Sequence, residues 1–276
     1  MVIRTLALAQ AATVSLASAL PSSDSKPARE QLNHPVFRKA VPESPADLLA
    51  VQKQVRSVLD DCKAATVCIL SNGSGSGVII SEDGLVLTAG HVSGEPEKEI
   101  EIVMPDGTKH KAKALGRSAA ADSGLVQITE GGPFPFVEVA PPATVSRGDW
   151  IFSVGHPGGF DEKRGLVLRV GRVIHRSTDT IQTDCKLIGG DSGGPLFDML
   201  GRVVGIHSRV SKKNEQNYHV TVRAFKRDWD RMLKGDIVTI DDSYAKIERK
   251  GGFLGDVSYT HLTLPTTRQR CIYRWW

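Results

Sequence analysis

The sequence predicts an all-β domain, a sandwich or a barrel, with one helix before it and one after it. Three observations lead there. Between Ala65 and Gly205, short runs rich in β-branched and aliphatic residues recur at near-regular spacing. Gly, Pro, Asp and Asn separate the runs, as turns require. A helical apolar period occurs on either side of this region, at 45–61 and 224–233.

The elements follow in order. Ser44-Pro45-Ala46-Asp47 reads as a helix start, with a hydroxyl N-cap, Pro at the first helical position and an acid at the third. Leu48, Leu49, Val51, Val55 and Leu59 then fall at helical spacing and are expected to form the buried face. The strand runs are "ATVCILS", "SGVIIS", "GLVLTAG", "EIEIVMP", "KHKAKALG", "SGLVQIT", "DWIFSVG", "GLVLRVGRVI", "TIQTDC", "GPLFD" and "GRVVGIHS". "PDGT" (105–108) and "FDMLGR" (197–202) read as hairpin turns. "APPATVSRGD" (140–149) divides the runs into two β units of similar size. "AFKRDWDRML" (224–233) closes the domain with Phe225, Trp229 and Leu233 on one helical face.

Both ends differ in texture from the domain. Residues 1–19 carry Arg4, an apolar run through Leu16 and Ala17-Ser18-Ala19, the pattern of a cleaved signal peptide. The run is short of the roughly 20 apolar residues a spanning helix needs, so no stable membrane insertion is expected. Residues 20–43 read as a flexible leader and 44–235 as the folded domain, while 257–276, ending in Trp275-Trp276, read as a non-native tail. The formal charge is +4; setting aside Arg4 at one end, and Arg268, Arg270 and Arg274 against Asp256 at the other, leaves +1. That balance gives no electrostatic case for a nucleic-acid partner. Without the tail the cysteines are Cys62, Cys68 and Cys185, an odd number and a poor disulfide framework, and a Cys62–Cys68 bond is not expected.

Three stretches carry chemistry. "GGDSGGPLFD" (189–198) places Ser192 in a glycine-rich turn, which alone equally fits a plain loop. A serine hydroxyl becomes nucleophilic only beside a base whose tautomer is fixed by an acid. "GLVLTAGHVSG" sets His91 just after a buried-looking strand, where a turn-capping histidine is the alternative. "AADSGLVQI" sets Asp122 at the entrance to a core strand, where an N-cap is the alternative.

Together, "TAGH" (88–91), Asp122 and "GDSGGP" (190–195) resemble the trypsin-like serine proteases in their order His, Asp, Ser. "GSGSGVIISEDGLVLTAGHV" (73–92), "VGHPGG" (154–159) and the stretch 181–208 resemble the HtrA/Deg branch over residues 45–235. The resemblance implies two antiparallel β-barrels with the site in the cleft between them. It implies His91, Asp122 and Ser192 as catalytic triad, and the amides of Gly190 and Ser192 as oxyanion hole, with Gly190 keeping the substrate carbonyl's approach clear. It implies a specificity pocket near Leu187, Ile206 and Val210, hence small or medium apolar side chains before the cut. It implies endopeptidase action through an acyl-enzyme on unfolded or damaged polypeptides, in the bacterial periplasm or outside the cell, with no cofactor or metal. A homo-oligomer, a trimer in this branch, is implied as well. "ERKGGFLGD" (248–256) resembles the opening of a PDZ-like domain, so 236–256 reads as a linker running into a truncated one.

The sequence departs from the branch at two places. Asp191 stands where an Asn is usual, and its charge needs a partner, with Arg209 and His207 as candidates. Cys185 stands where a small residue is usual. A protease-like chaperone that binds without cutting is the rival from another class. An esterase on an α/β-hydrolase sheet fails on order, since that fold runs Ser, acid, His.

Overall fold

The computed structural model describes residue 32 and residues 34–211 and 216–239. The expected signal peptide, most of the leader, the PDZ-like start and the tail lie outside the described residues.

Helix α1 (Pro45–Ala64) begins as expected, with the Ser44 hydroxyl accepting from the Asp47 amide. Its buried face is Val51, Val55 and Cys62, whereas Leu48 and Leu49 face solvent, 55% and 63% exposed. The expectation that these leucines are buried is corrected here. The buried face is instead extended by Asp47, whose carboxylate takes the Lys39 ammonium at 2.9 Å and the Glu43 amide at 2.8 Å. Those bonds tie down the segment before the helix. A 3-10 turn at Pro35–Arg38 buries Val36 completely, and Arg172 donates to the Lys39 carbonyl. The C-terminal part of the expected leader is therefore part of the folded body.

Strands β1 (Thr66–Leu70), β2 (Ser74–Ile79), β3 (Leu85–Ala89), β4 (Glu99–Val103), β5 (Lys109–Ser118) and β6 (Ser123–Ile128) form the first barrel. They run in the order β5-β4-β1-β2-β3-β6, and pairing of β5 with β6 closes the ring. Strands β7 (Trp150–Gly155), β8 (Val167–Arg176), β9 (Thr180–Thr183), β10 (Pro195–Asp198), β11 (Val203–Ser211) and β12 (Gln216–Thr221) close the second, ordered β10-β11-β12-β9-β8-β7. All pairings within both barrels are antiparallel.

Period-two alternation explains why several strands read as unbroken apolar runs. In β3, Val86 points into the first barrel with Val67, Ile69, Ile79, Ile102 and Val126. Its neighbours Leu85 and Leu87 point the other way, into a seam shared with Val78, Leu125, Phe152, Phe197 and Ile206. In the second barrel Ile151, Ile181, Leu196 and Val204 point inward. One seam thus packs barrel against barrel, and α1 and the closing helix join it through Val51, Val55, Phe225 and Trp229.

The closing helix α2 (Val222–Leu233) is capped by the Thr221 hydroxyl, which accepts from the Ala224 amide. Two strands escape the sequence reading. Strand β12 buries Asn217, His219 and Thr221 beside a single buried apolar residue, Val220, so no apolar alternation marks it. Strand β13 (Ile237–Val238), expected as linker, has two residues and pairs in parallel with β5.

Candidate active site

His91 lies on the helical turn Gly90–Ser93 that follows β3. Its amide donates to Asp122 Oδ1 at 3.0 Å, and its Nδ1 is 2.9 and 3.0 Å from the two carboxylate oxygens. A carboxylate accepts only, so Nδ1 carries the hydrogen and Nε2 is the basic nitrogen of the neutral ring. The Asp122 hydrogen bond and charge raise the His91 pKa above its ordinary 6.5, against partial burial. Asp122 occupies the turn between β5 and β6 in the left-handed region, φ 60°. Its Oδ2 also accepts from the Ser208 hydroxyl at 2.5 Å. Ser208 is buried on β11, and sequence reasoning missed it. The signal available was a hydroxyl closing the run "GRVVGIHS", beside His207 and on the second strand past the serine turn.

Ser192 is held by a turn whose hydrogen bonds are largely committed. The Asp191 amide donates to the Ile188 carbonyl at 3.1 Å, Gly194 to Asp191 at 2.9 Å, and Gly193 to His207 at 2.8 Å. The amides of Gly190 and Ser192, between them, have no acceptor among the described residues. Ser76 of β2 clamps this turn from the opposite barrel. Its amide donates to the Ser192 carbonyl at 2.8 Å, its hydroxyl donates to the Gly190 carbonyl at 2.8 Å, and the same hydroxyl accepts from the His156 amide at 3.0 Å. Ser76 is fully buried and was not singled out by its sequence. Among the described residues, no hydrogen bond joins Ser192 Oγ to His91.

Gly190 has φ 91°, and a Cβ there would lie 2.5 Å from the His156 carbonyl oxygen and 2.6 Å from the Gly158 nitrogen. The packing of the 156–159 loop by itself therefore requires glycine at 190, a second reason beside the approach of a substrate carbonyl that the resemblance implies. At Gly193, φ 85°, a Cβ would strike the Ser76 carbonyl oxygen at 2.1 Å, which keeps the two barrels in contact beneath Ser192.

The partner of Asp191 is neither Arg209 nor His207. Arg169 on β8 makes a two-pronged contact, Nη1 to Oδ1 at 3.1 Å and Nη2 to Oδ2 at 3.0 Å, and the Ile188 amide adds a bond at 2.9 Å. Asp191 is fully buried, and desolvation raises its pKa despite these partners. Arg169 was missed because two unpaired elements of sequence, β8 and the serine turn, meet only in the closed barrel. Cys62, Cys68 and Cys185 are free and buried. Burial and nearby carboxylates push the Cys62 and Cys185 thiols up to about 12, so neither is a thiolate at neutral pH.

A cavity of about 320 Å³ opens beside Ser192. Leu187 and Val210 line it, together with Ile188, Gly189, His207, Ser208 and Arg209. Ile206 does not: it is completely buried in the seam between the barrels. The strand bulge between His207 and Arg209 shifts the alternation, and His207 takes the place beside the cavity. A larger hollow lies elsewhere, bounded by Phe37, Arg147, Trp150 and Met199, away from His91, Asp122 and Ser192. Among the described residues no group of His, Cys, Asp and Glu is placed to hold a metal ion.

Residues 75–206 match the family described as trypsin-like peptidase domain. A protein of Pseudomonas putida (strain GB-1), named a probable periplasmic serine endoprotease DegP-like, is 39% identical over 140 residues, 49% of this chain and 29% of its own. A protein of the same name from Rickettsia prowazekii (strain Madrid E) is 31% identical over 201 residues, 66% of this chain and 39% of its own. This chain thus spans well under half the length of the curated relatives it matches. A serine endoprotease structure from Yersinia pestis aligns with TM-score 0.56 and 23% identity, covering 70% of this chain and 68% of that one. The structure of the HtrA-type protease AlgW with a tripeptide aligns with TM-score 0.57 and 21% identity, covering 67% and 64%.

Proposed function

We propose that the chain carries a trypsin-like peptidase domain of the HtrA/DegP kind and is a serine endopeptidase acting by an acyl-enzyme, a reading supported by the match over residues 75–206 and by the relatives' names. The observation that carries this reading is the bonded series Ser208–Asp122–His91 together with a serine turn in which the Gly190 and Ser192 amides have no acceptor among the described residues.

Ser192 Oγ attacks the peptide carbonyl while His91 Nε2 takes its proton. Asp122 holds the Nδ1–H tautomer and stabilises the imidazolium that forms. Ser208 fixes the second carboxylate oxygen, so that Asp122 stays aimed at the ring. Charge then develops on the carbonyl oxygen, where the Gly190 and Ser192 amides donate to it. His91 returns the proton to the leaving amine, and water repeats the sequence on the ester. Rotation of the Ser192 side chain completes the missing contact to His91, since catalytic hydrogen bonds often tighten only around a bound substrate.

The relatives' name supports a periplasmic setting, and the branch resemblance supports unfolded or damaged polypeptides as substrates and a homo-oligomeric assembly. No helix among the described residues is long and apolar enough to cross a membrane.

The test is fluorophosphonate labelling and casein cleavage by the purified protein. Both are expected, and Ser192→Ala removes both, lowering the hydrolysis rate by roughly 10⁴- to 10⁶-fold. Tight binding of unfolded casein with neither labelling nor cleavage would instead establish the binding-protein reading.

A further inference from the structure

We propose that strand β13 (Ile237–Val238) is a positioning element for the catalytic acid, a strap that holds the turn carrying Asp122; this rests on the endopeptidase reading above. The strap lies beyond the matched residues 75–206 and follows the closing helix rather than belonging to either barrel's ring.

The turn needs support from outside itself. Asp122 has φ 60°, a left-handed backbone that a residue with a Cβ keeps only where its surroundings hold it. Ser118 and Ser123 form the last pair of the β5–β6 hairpin, and the residues between them make the turn. Ala119, Ala120 and Ala121 precede Asp122 there and offer no polar side chain as an anchor. Within the turn, the Ala121 amide donates to Ser118 Oγ at 3.3 Å. The Ala119 amide donates outward, to the Val238 carbonyl at 2.8 Å. The Arg117 amide likewise donates to the Asp236 carbonyl at 3.1 Å. The leg of the turn that leads to Asp122 is thus bonded to the strap at alternate residues.

The strap fills an edge that β4 leaves. Strand β4 and the residues just before it serve β5 as far as Ala114, while β6 occupies the other edge. From Arg117 onward β13 is the neighbour on the β4 side, in the parallel register Ile237↔Arg117 and Val238↔Ser118. Its docking is close. The chain reverses at Gly235, fixed by the Asp236 amide on the Arg231 carbonyl at 3.0 Å and by Arg231 Nε on Asp236 Oδ2 at 3.3 Å. A Cβ on Gly116 would lie 2.5 Å from the Asp236 carbonyl oxygen and from Met232 Cα, so β5 meets the strap with no side chain between them. Val238 is buried, and a charge placed there drives the strap off. Its release takes the acceptors from the Arg117 and Ala119 amides and frees the turn, so that the Asp122 carboxylate drifts from His91 Nδ1. A misplacement of about 1 Å at a catalytic group can cost about 10²-fold in rate.

The experiment uses the full chain, Val238→Asp and Val238→Ala. It reads the His91 titration by NMR, in a Ser192→Ala background, and kcat and KM with Ser192 present, on a peptide taken from the casein digest. In the parent, the Asp122 hydrogen bond and charge hold the His91 midpoint above 6.5 against burial. Both substitutions are expected to move it down towards 6.5, Val238→Asp the further. Val238→Asp is expected to lower kcat about 10- to 100-fold with KM changed less than about twofold. A strand with a merely structural role would lower Tm and leave the His91 midpoint in place, and that result overturns the proposal. Hydrogen exchange on the unsubstituted chain decides should both variants fail to fold. The Ala119 amide is expected to be protected although the residue is exposed, and exchange at the rate of a free amide overturns the strap. Absence of cleavage and labelling in the parent, with the midpoint moving as expected, removes the endopeptidase reading and leaves the hold of β13 on Asp122 standing.

Discussion

Arg169→Met isolates the buried carboxylate next to the nucleophile, and its cost can be worked from the geometry. Asp191 is fully buried and Arg169 17% exposed at its side chain, so water screens the pair little. The substitution removes both charge-assisted bonds, at 3.0 and 3.1 Å, and leaves the carboxylate one amide, that of Ile188. Breaking a buried pair from one side typically costs about 3–5 kcal/mol. The carboxyl has an escape, which sets a ceiling: it can take up a proton. From its ordinary 3.8 to pH 7 that costs about 4 kcal/mol at about 1.4 kcal/mol per pH unit. The expected loss at pH 7 is therefore about 3–4 kcal/mol, roughly 6–16 °C in Tm for a domain of this size. The sign of the pH dependence follows. A carboxyl whose folded pKa is raised destabilises the fold increasingly as pH rises through that value, so the variant's deficit shrinks as pH falls towards 4. Urea unfolding followed by tryptophan fluorescence, in a Ser192→Ala background to prevent self-cleavage, measures this at pH 7 and pH 5. Arg169→Met with Asp191→Asn should recover to within about 1 kcal/mol of the parent, because no buried charge then remains. A loss below 1 kcal/mol at pH 7, or one that does not diminish at pH 5, would refute the reasoning.

Two further outcomes follow from the histidines. His91 must be neutral to act as base, and Asp122 raises its pKa, so kcat/KM should rise with pH through a midpoint above 6.5; Asp122→Asn should move that midpoint down and depress the plateau, and a pH–rate profile that leaves the midpoint unmoved contradicts the pairing. His156 is buried with neither ring nitrogen hydrogen-bonded, and burial lowers its pKa to about 4. Its neutral form favours the fold above pH 6.5, and this contribution is lost as pH falls from 6.5 towards 4, about 2 kcal/mol of it by pH 5. His156→Phe should flatten the urea midpoint over that range by about this amount; an unchanged slope would show that the ring is already hydrated.

Strand runs with turn signals, the two helices, the Ser44 cap and the order His91, Asp122, Ser192 are all legible in the sequence, because each rests on local chemistry. A turn needs Gly or Asp, a cap needs a hydroxyl, and a barrel strand needs period two. What escaped is what depends on which strands close against which. Strand β12 is hidden because Asn217 and His219 are buried as hydrogen-bonded groups rather than apolar ones. Leu48 and Leu49 fit the helical period and still face solvent, since the partner surface lies on the Val51 and Val55 side. Ser76, Ser208 and Arg169 reach the site from β2, β11 and β8, and no spacing along the chain relates them to Ser192 or Asp122. The sequence by itself determined the residue types that can perform the chemistry. Only closure of the two barrels decided that Arg169 neutralises Asp191, and that a bulge turns His207, not Ile206, to the cavity. A buried charge or imidazole finds its partner by distance in space, and distance in space is set by strand register.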